Sequence, residues 1–556
     1  MAFAVAVGKS DFEEIRKVGD YYVDKTELLY ELVKEAGNKV TLFTRPRRFG
    51  KTLTMSMIDN FFNIRKDSHV IFEGLDIMKH PDFCTEWMNS RPVLFISLKD
   101  VDGLDFDGAY KMLETVISAR CKDLLPAFAN AELDEDDRQI FAKLKSTTAE
   151  LNEVKDSLKT LMRMLHAVYG KKVILLIDEY DVPLAKASER NTAENNFYAH
   201  MLDVIRGLMS SSLKDNEFLE FAVVTGCLRI SKESIFTGTN NFASYSVLNK
   251  RFSEYFGFTE SEVDTMLEEA DRKEAAPVIK EWYNGYVFGT SHVYCPWDVI
   301  NYLSDLMFDR TTRPKAFWKD SSHNGILRTF VGRTDFKIKG KFEALMNGGT
   351  VTQTITDMLT YDSLHATEDN IWSVLLMTGY VTKADPTDDE DTVQLRIPNK
   401  EVATIFQDAV VSLFRDTIDN ARQKAMMESL WRGDEDAASK AVSDLLWKTI
   451  SYNDYHEDYY HAFLVGIFTG LGYEVESNKE KGLGRPDILL KDDDNRRAII
   501  IEAKKSANRA DMEADCGAAL EQIASRKYAD GLYGYTQVLC YGVAFFQKEA
   551  LVRKGA

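Results

Sequence analysis

Features that would place a protein in a special class are missing from this sequence. The six cysteines are scattered and never form a Cys-x-x-Cys pair, which argues against zinc sites and disulfide frameworks. Apolar runs such as VILLI at 173–177 are far too short to span a bilayer. The N-terminus MAFAVAVGKSDFEE has no basic segment before its short apolar run, so we expect no signal peptide. These absences predict a soluble cytoplasmic protein with reduced thiols and no membrane partner.

An excess of basic charge is missing as well. The chain has 69 Lys and Arg against 88 Asp and Glu, a net charge of −19. This balance argues against non-specific binding of nucleic acid over the whole surface. A local basic groove stays open, because binding follows the local field rather than the total charge.

The composition that is present supports folded domains. Hydrophobic residues make up 45% of the 556 residues and aromatic residues 11%, which is enough for sizeable cores. Continuous apolar runs of strand length suit a parallel sheet covered on both faces, and they occur at 39–44, 92–98, 172–178 and 219–226. Segments with helical spacing separate these runs, so the N-terminal part is predicted to be an α/β domain.

The pattern changes twice along the chain. Residues 101–170 are acidic with helical spacing and are predicted to form a helical insertion between two strands. From about 261 the pattern is mostly helical, and from 451 it returns to alternating helices and strands. We therefore divide the chain into an α/β domain at 1–260, a helical middle or lid domain at 261–450, and a small α/β domain at 451–556.

The stretch TLFTRPRRFGKTLTMSM at 41–57 combines a strand, a loop and the start of a helix. Its end has the form of a phosphate-binding loop, in which Gly50 permits close backbone approach, Lys51 neutralises phosphate and Thr52 binds Mg²⁺. Arg45 stands where such a loop usually begins with glycine. The whole loop is a candidate for cofactor binding, with the members Arg45, Pro46, Arg47, Arg48, Phe49, Gly50, Lys51 and Thr52.

Two later strands supply the remaining groups that a nucleotide hydrolase needs. The run KVILLIDEYD ends in Asp178, which can support Mg²⁺, and Glu179, which can polarise the attacking water. The run FAVVTGCLRIS places Thr225 at its end and Arg229 just beyond, as candidates for contacting the γ-phosphate. A strand-end cap for Thr225 and an ordinary ion pair for Arg229 are equally good interpretations.

Several blocks together closely resemble the AAA-ATPase-like family of bacterial proteins. The blocks are YYVDKTELLYEL, RPRRFGKT, ILLIDEYDVPL, TGCLRIS, FSEYFGFTESEV, WYNGYVFG and IPNKEV. The resemblance implies a P-loop fold of the AAA type and an ATP site at Lys51, Thr52, Asp178 and Glu179. It also implies that an arginine at position 45 is usual for such a loop, and that a C-terminal nuclease domain of the PD-(D/E)xK superfamily is the typical partner.

The stretch GRPDILLKDDDNRRAIIIEAKK matches the PD-(D/E)xK signature itself. Glu502 and Lys504 lie two residues apart on a predicted strand and therefore share a face, and a hairpin would bring Asp487 beside them. Two carboxylates suit Mg²⁺, with Mn²⁺ as an alternative, and the lysine can orient or activate a water. The competing interpretation is a hairpin with a surface ion pair.

Further residues near this motif are weaker candidates. Resemblance to related nucleases implies that Gln522, on the following helix, supports the site. Glu457 is a candidate metal ligand on the preceding helix and His461 is a weaker one, although a helix-surface or capping role is the favoured interpretation for both. Arg485 can meet a phosphate or pair with an acid. Residues 451–556 carry 14 basic and 17 acidic residues, which predicts weak intrinsic affinity for DNA.

These motifs favour an ATP-binding and ATP-hydrolysing protein with a metal-dependent nuclease domain that acts on DNA rather than RNA. The alternative is a nucleotide-dependent switch or assembly protein whose nuclease-like domain only binds nucleic acid or a protein, and an ATPase motor anchored to DNA ranks last. A homo-oligomer stays open, with an arginine reaching a neighbouring subunit's site; the candidates are Arg190, Arg206, Arg229 and Arg251. The aromatic blocks WYNGYVFG and CPWDVINYL are predicted to pack in the core of the middle domain rather than to form a base-stacking platform. The arginine-rich loop predicts slow ATP turnover.

Overall fold

The computed structural model describes most of the chain. It describes residues 3–34, 38–192, 194–229, 235–236, 241–318, 327, 338–346, 348–356, 359, 367–385, 392–417, 420–449, 457–470, 474–477, 486–530 and 532–555. The chain divides into two compact units. Unit 1 comprises Met1–Phe317 with Thr352–Glu401, and unit 2 comprises Trp318–Val351 with Val402–Ala556.

The first 245 residues alternate helices with five strands. The helices are α1 Phe12–Val18, α2 Glu27–Lys34, α3 Lys51–Phe62, α4 His69–Phe72, α5 Pro81–Trp87, α6 Phe106–Phe128, α7 Glu135–Ser146, α8 Leu151–Lys155, α9 Ser157–Tyr169, α10 Val182–Glu189 and α11 Phe197–Leu213. The strands are β1 Val40–Thr44, β2 Val93–Ser97, β3 Val173–Asp178, β4 Leu219–Gly226 and β5 Phe242–Tyr245.

The five strands form one parallel sheet in the order β2-β3-β4-β1-β5. β1 and β3 are buried along their whole length, which explains why their sequences are continuous apolar runs. In the register, Thr44 lies beside Gly226 and Ser97 beside Asp178. The strands therefore place their carboxyl ends along one edge of the sheet. The four helices α6 to α9 connect β2 to β3, as the predicted helical insertion requires.

The region from 260 to 449 is mainly helical. Its helices are α12 Glu260–Glu269, α13 Ala276–Tyr283, α14 Pro296–Phe308, α15 Ile338–Met346, α16 Glu368–Thr378, α17 Lys400–Thr417, α18 Asn420–Arg432 and α19 Glu435–Thr449. Short strands also occur here: β6 Tyr286–Phe288, β7 Ser291–Val293, β8 Val351–Thr354, β9 Thr382–Lys383 and β10 Thr392–Arg396. The sequence analysis missed them because each has only two to five residues. The predicted domain boundaries at 260 and 450 stay predictions.

The C-terminal part is a five-stranded sheet with helices on it. It contains α20 Glu457–Gly470, β11 Glu474–Ser477, β12 Ile488–Asp492, β13 Arg497–Lys505, α21 Met512–Ser525, β14 Gln537–Phe546 and β15 Glu549–Lys554. The strand order follows the sequence, and all neighbours are antiparallel except β13 and β14, which α21 connects in parallel. The predicted α/β class is confirmed for both ends of the chain, with a helical region between them.

The edge strand β15, which the sequence analysis did not predict, is covered by α19. Ser443 Oγ accepts a hydrogen bond from the Ala550 N–H at 2.9 Å, and Ser439 Oγ accepts one from the Val552 N–H at 2.9 Å. Two serines one helical turn apart thus satisfy backbone groups that an edge strand would otherwise leave open. Within the described residues, no helix is long and apolar enough to cross a membrane.

Candidate nucleotide and nuclease sites

The loop between β1 and α3 lies at the carboxyl edge of the parallel sheet. Its entry is fixed by a hydrogen bond from the Arg45 N–H to the Gly226 carbonyl at 3.1 Å. Arg48 and Gly50 both adopt left-handed backbone conformations, with φ of 74° and 81°. α3 begins at Lys51, and its first N–H groups have no partners inside the helix. A turn of this kind followed by a helix N-terminus is a favourable place for phosphate.

Arg45 has a different role from the predicted one. Its side chain is fully buried and turned into the core, where the guanidinium donates to the carbonyls of Thr44 at 2.9 Å, Tyr245 at 2.8 Å and Phe252 at 3.2 Å. It also lies over the ring of Phe256 at 5.1 Å. Burial lowers the pKa of Arg45 to about 9. The side chain therefore ties the loop to the neighbouring segment instead of extending toward a phosphate.

The next loop residues also make packing contacts. The Arg48 guanidinium lies over the Trp297 ring at 4.5 Å and donates to the Phe317 carbonyl at 3.0 Å. Phe49 is buried against Tyr286 and Phe288, with ring centroids 5.0 and 4.9 Å away. Tyr286 and Phe288 belong to the WYNGYVFG block and Trp297 to the CPWDVINYL block, so these three aromatic residues support the loop. Pro46 is buried and Arg47 is half-buried.

Lys51 lies at the centre of the loop, almost fully buried. Its Nζ donates to the carbonyls of Arg45 and Pro46, both at 3.1 Å, and lies 3.8 Å from Oε1 of Glu179. Burial by itself opposes the charge, but the attraction of Cys227, Glu179 and nearby acids outweighs burial and raises the pKa of Lys51. The ammonium group is thus kept charged inside the loop, as phosphate binding requires.

Asp178 is the point where three strands and α3 meet. Its Oδ2 accepts hydrogen bonds from Thr52 at 2.9 Å and Ser97 at 3.2 Å, and its Oδ1 accepts one from Thr225 at 2.6 Å. Burial raises the pKa of Asp178, and the hydrogen bonds from Thr225 and Thr52 oppose that rise. Ser97 was missed in the sequence. The signal that could have found it is its position at the end of the strand next to β3.

Glu179 and Asp181 follow β3 with distinct roles. Glu179 has a left-handed backbone with φ of 53°, and its N–H donates to Oγ1 of Thr225 at 3.3 Å. Asp181 was not singled out in the sequence. It is buried, and its Oδ2 accepts the N–H groups of Cys227 and Leu228, both at 2.9 Å. Asp181 therefore joins the end of β3 to the turn after β4.

The candidate arginines lie in different surroundings. Arg229 is half-buried, with its guanidinium 5.8 Å from the centre of the Phe242 ring. Arg190 forms an ion pair with Asp102, and Arg251 lies over the Phe252 ring at 5.1 Å. None of these contacts tests a role in a neighbouring subunit's site, so that assignment stays a prediction, as it does for Arg206.

The nucleotide site has the donor set that Mg²⁺ prefers. The hydroxyl of Thr52 and the carboxylate of Asp178 are hard oxygen ligands that already touch each other. The groups present therefore fit a magnesium ion bound together with phosphate.

In unit 2, the PD-(D/E)xK residues converge at the ends of β12 and β13. Asp487 Oδ2 accepts the Ala503 N–H at 2.8 Å, and the Asp487 N–H donates to Oε2 of Glu502 at 3.3 Å. His461 donates from Nε2 to the Asp487 carbonyl at 2.8 Å. The backbone hairpin that the sequence predicted therefore brings both acids together, and His461 positions Asp487 through its main chain.

Glu502 is buried and surrounded by the other candidates. Its Oε1 accepts a hydrogen bond from Nε2 of Gln522 and lies 3.8 Å from Nζ of Lys504. Ala498 and Ile500 on the same face of β13 pack against α21, which carries Gln522. The alternation along β13 thus places Glu502 and Lys504 on the α21 side of the sheet, next to Gln522.

Two oxygen ligands are available at this second site, which fits a divalent metal ion. Within the described part of unit 2, Oδ1 of Asp487 accepts no hydrogen bond and has free capacity for a cation. The described residues contain no group of three or more His, Cys, Asp and Glu side chains arranged for a metal. Glu457 begins α20, but its side chain lies outside the described structure, as does Arg485 entirely.

Comparisons with known proteins identify two kinds of domain in this chain. Residues 6–236 match the AAA-ATPase-like family, described as predicted AAA-ATPase, and residues 455–554 match the PD-(D/E)XK nuclease superfamily. An "Uncharacterized protein in vnfD 5'region" of Azotobacter chroococcum mcd 1 is 25% identical over 547 residues, covering 94% of this chain and 92% of that protein. No solved structure matches. The chain therefore combines an AAA-ATPase-like domain at its N-terminal end with a PD-(D/E)XK nuclease superfamily domain at its C-terminal end.

Proposed function

We propose that the protein is a metal-dependent nuclease acting on DNA, regulated by ATP that it binds and hydrolyses in the cytoplasm. One observation carries this proposal: each unit has its own cluster of oxygen ligands, Thr52 with Asp178 in unit 1 and Asp487 with Glu502 in unit 2. A protein with only one of the two activities would need only one of the two clusters.

In unit 1, the loop residues and the strand ends divide the work. Lys51 and the first N–H groups of α3 bind the phosphates. Thr52 and Asp178 would hold Mg²⁺, and the ion would supply neutralisation of phosphate charge. Glu179 orients and deprotonates the attacking water. Thr225 holds Asp178 and Glu179 in position, because its hydroxyl contacts both residues. Nζ of Lys51 lies 3.8 Å from Oε1 of Glu179, so the groups that we assign to phosphate and to water are direct neighbours.

The ATPase part is tested by the substitution Glu179→Gln. It keeps the size of the side chain and removes the base, so phosphate release should fall at least about 100-fold while ATP binding persists. The exposed Glu194→Gln is the matched control and should behave as the wild type. Wild-type turnover should be slow. A fast basal rate, or undiminished hydrolysis by the Glu179 variant, would contradict the proposal.

In unit 2, the acids and the lysine carry the cleavage. Asp487 and Glu502 would hold Mg²⁺ or Mn²⁺, and the ion would supply charge neutralisation at the scissile phosphate and activation of the attacking water. Lys504 lies on the same face as Glu502 and orients the water, and Gln522 keeps Glu502 in place. The proposed role of Glu457 as a further metal ligand rests on its position at the start of α20.

The nuclease part is tested with labelled DNA and RNA, with and without ATP and either metal. Asp487→Asn should abolish cleavage, because it removes a charged metal ligand without changing shape. Asp494→Asn, in the exposed turn after β12, is the control and should cleave normally. Cleavage of RNA but not DNA, or equal cleavage by Asp487→Asn, would contradict the assignment.

Regulation by ATP is tested by Lys51→Ala in the same assay. Because this variant loses the phosphate-binding charge, its cleavage should no longer respond to ATP, whereas Lys111→Ala, an exposed lysine of the insertion, should respond normally. If cleavage by the Lys51 variant still responds to ATP as the wild type does, the ATP site does not regulate the nuclease site.

One observation favours a second candidate function. Residues 451–556 carry 17 acidic against 14 basic residues, which is unfavourable for gripping DNA. That charge would fit a nucleotide-dependent switch or assembly protein whose nuclease-like domain binds a protein partner and does not cleave DNA. This alternative predicts that cellular function survives Asp487→Asn, whereas the nuclease proposal predicts that function is lost.

A further inference from the structure

A cavity of about 250 Å³ adjoins the phosphate-binding loop in unit 1. Its lining includes residues Gly50 to Thr54 of the loop and α3, together with Glu179. The other walls come from the N-terminal segment between residues 6 and 25 and from residues between 255 and 300. A molecule whose phosphates occupy the loop therefore extends directly into this space.

The walls include several aromatic rings. Tyr22, Tyr255, Phe258 and Trp297 all line the space, which we call the aromatic cavity. Aromatic faces stack on any nucleobase, because every base has a π-face. Phosphate alone would gain nothing from such walls, so they suit the remainder of a nucleotide.

The N-terminal wall is anchored to the rest of unit 1. The Tyr21 N–H donates to the Ala4 carbonyl at 2.7 Å, and the Tyr21 ring packs 4.9 Å from that of Phe3. Both rings pack against the hydrophobic cluster that contains Val299 and Tyr302. Lys9, which also lines the cavity, is held by Asp20 at 2.8 Å. These contacts make the wall a built part of the site.

Trp297 connects the cavity with the loop. Arg48 of the loop stacks on its indole at 4.5 Å, which holds the ring beside the phosphate position. The residue belongs to the CPWDVINYL block, for which the sequence favoured core packing over a base-stacking platform. We propose that the aromatic cavity receives the base and ribose of the bound nucleotide and that Trp297 is a nucleoside-binding residue.

This inference rests on the proposed ATP site and deepens it, because it states which part of the ligand each wall recognises. It predicts that the protein distinguishes a nucleoside triphosphate from inorganic tripolyphosphate, which has the phosphates only. The wild-type chain should bind ATP at least about tenfold more tightly than tripolyphosphate, since stacking is available to ATP alone.

The test is calorimetric titration of the full chain with both ligands and Mg²⁺. Trp297→Ala should weaken ATP binding at least tenfold and leave tripolyphosphate binding within twofold, and Trp297→Phe should keep most of the affinity for ATP. Trp282→Ala is the matched control, because Trp282 lies outside the cavity lining and should leave both affinities unchanged.

The contrary outcomes separate the two proposals. Equal weakening of both ligands by Trp297→Ala would mean that Trp297 only supports the loop, and unchanged ATP binding would exclude it from the site; each overturns this inference alone. Equal affinity of the wild type for ATP and tripolyphosphate would overturn it without any variant. Binding of neither ligand would overturn the proposed ATP site as well.

Discussion

Thr52 Oγ1 donates a hydrogen bond to Oδ2 of Asp178 across 2.9 Å, joining the first turn of α3 to the carboxyl end of β3. The two residues are 126 positions apart in the chain, and the parallel sheet brings them together. These are the two residues that we propose as metal ligands in unit 1, and the role of the hydroxyl can be tested by itself.

Thr52→Val should separate metal binding from phosphate binding. Valine keeps the shape of threonine but has no hydroxyl, so affinity for ATP should fall about tenfold or more with Mg²⁺ present and change little in EDTA. Thr52→Ser keeps the hydroxyl and is the matched control. Calorimetric titration measures both conditions. An equal loss with and without metal would show that Thr52 has no part in holding the ion.

Arg45→Met should destabilise unit 1 although it removes a buried charge. Methionine fills a similar space, but the carbonyls of Thr44, Tyr245 and Phe252 lose their donors, at a cost of about 1–3 kcal/mol for each carbonyl left unsatisfied. We expect a lower denaturation midpoint by circular dichroism. Arg47→Met, at a half-buried position of the same loop, should cost much less. Equal midpoints for the two variants would argue against a structural role for Arg45.

Asp298 should make stability depend on pH. Burial raises the pKa of Asp298 to about 6, against the opposing hydrogen bonds from Glu401 and Cys295 and the charge of Arg48. Between pH 4 and 6 the folded state therefore holds a proton that the unfolded state has released, so this group's contribution to stability falls as pH rises. A shift of this size corresponds to at most about 3 kcal/mol.

The substitution Asp298→Asn removes that titration. Relative to the wild type, the variant should gain stability as the pH is raised from 4 to 7, as measured by denaturant unfolding at each pH. The exposed Asp271→Asn should show no such trend. A pH-independent difference between wild type and Asp298→Asn would contradict the raised pKa.

Gly542→Ala should destabilise unit 2 where β14 approaches α21 closely. A Cβ at position 542 would come within 2.3 Å of the Cys516 carbonyl on α21, where backbone cannot easily yield. Overpacking of this kind costs about 1–3 kcal/mol and should lower the thermal midpoint. Gly534→Ala is the control, because a Cβ there meets nothing within 4 Å. If the two variants melt alike, the close approach of α21 to β14 is not tight.

The elements that the sequence predicted well are those with strong local patterns. The apolar runs at 172–178 and 219–226 became β3 and β4 almost residue for residue, because a strand buried on both faces leaves an unbroken apolar signature. The helical insertion and the hairpin of the PD-(D/E)xK motif were predicted from similar patterns. The short strands β6 to β10 and the edge strand β15 were not predicted. A strand of so few residues is too short to show a recognisable alternation of apolar and polar residues.

For the site, the sequence by itself determined the chemical groups: a lysine and threonine after a glycine, acids at a strand end, and two acids with a lysine on a hairpin. Only the tertiary structure decided where each side chain points. Arg45 has the charge of a phosphate ligand, yet it lies in the core, since three backbone carbonyls and aromatic rings there outweigh the cost of burying it. Spacing along the chain does not show which distant residues meet at the site. Strands and segments far apart in the chain come together in the fold, and this brings Ser97, Asp181 and Trp297 to their contacts.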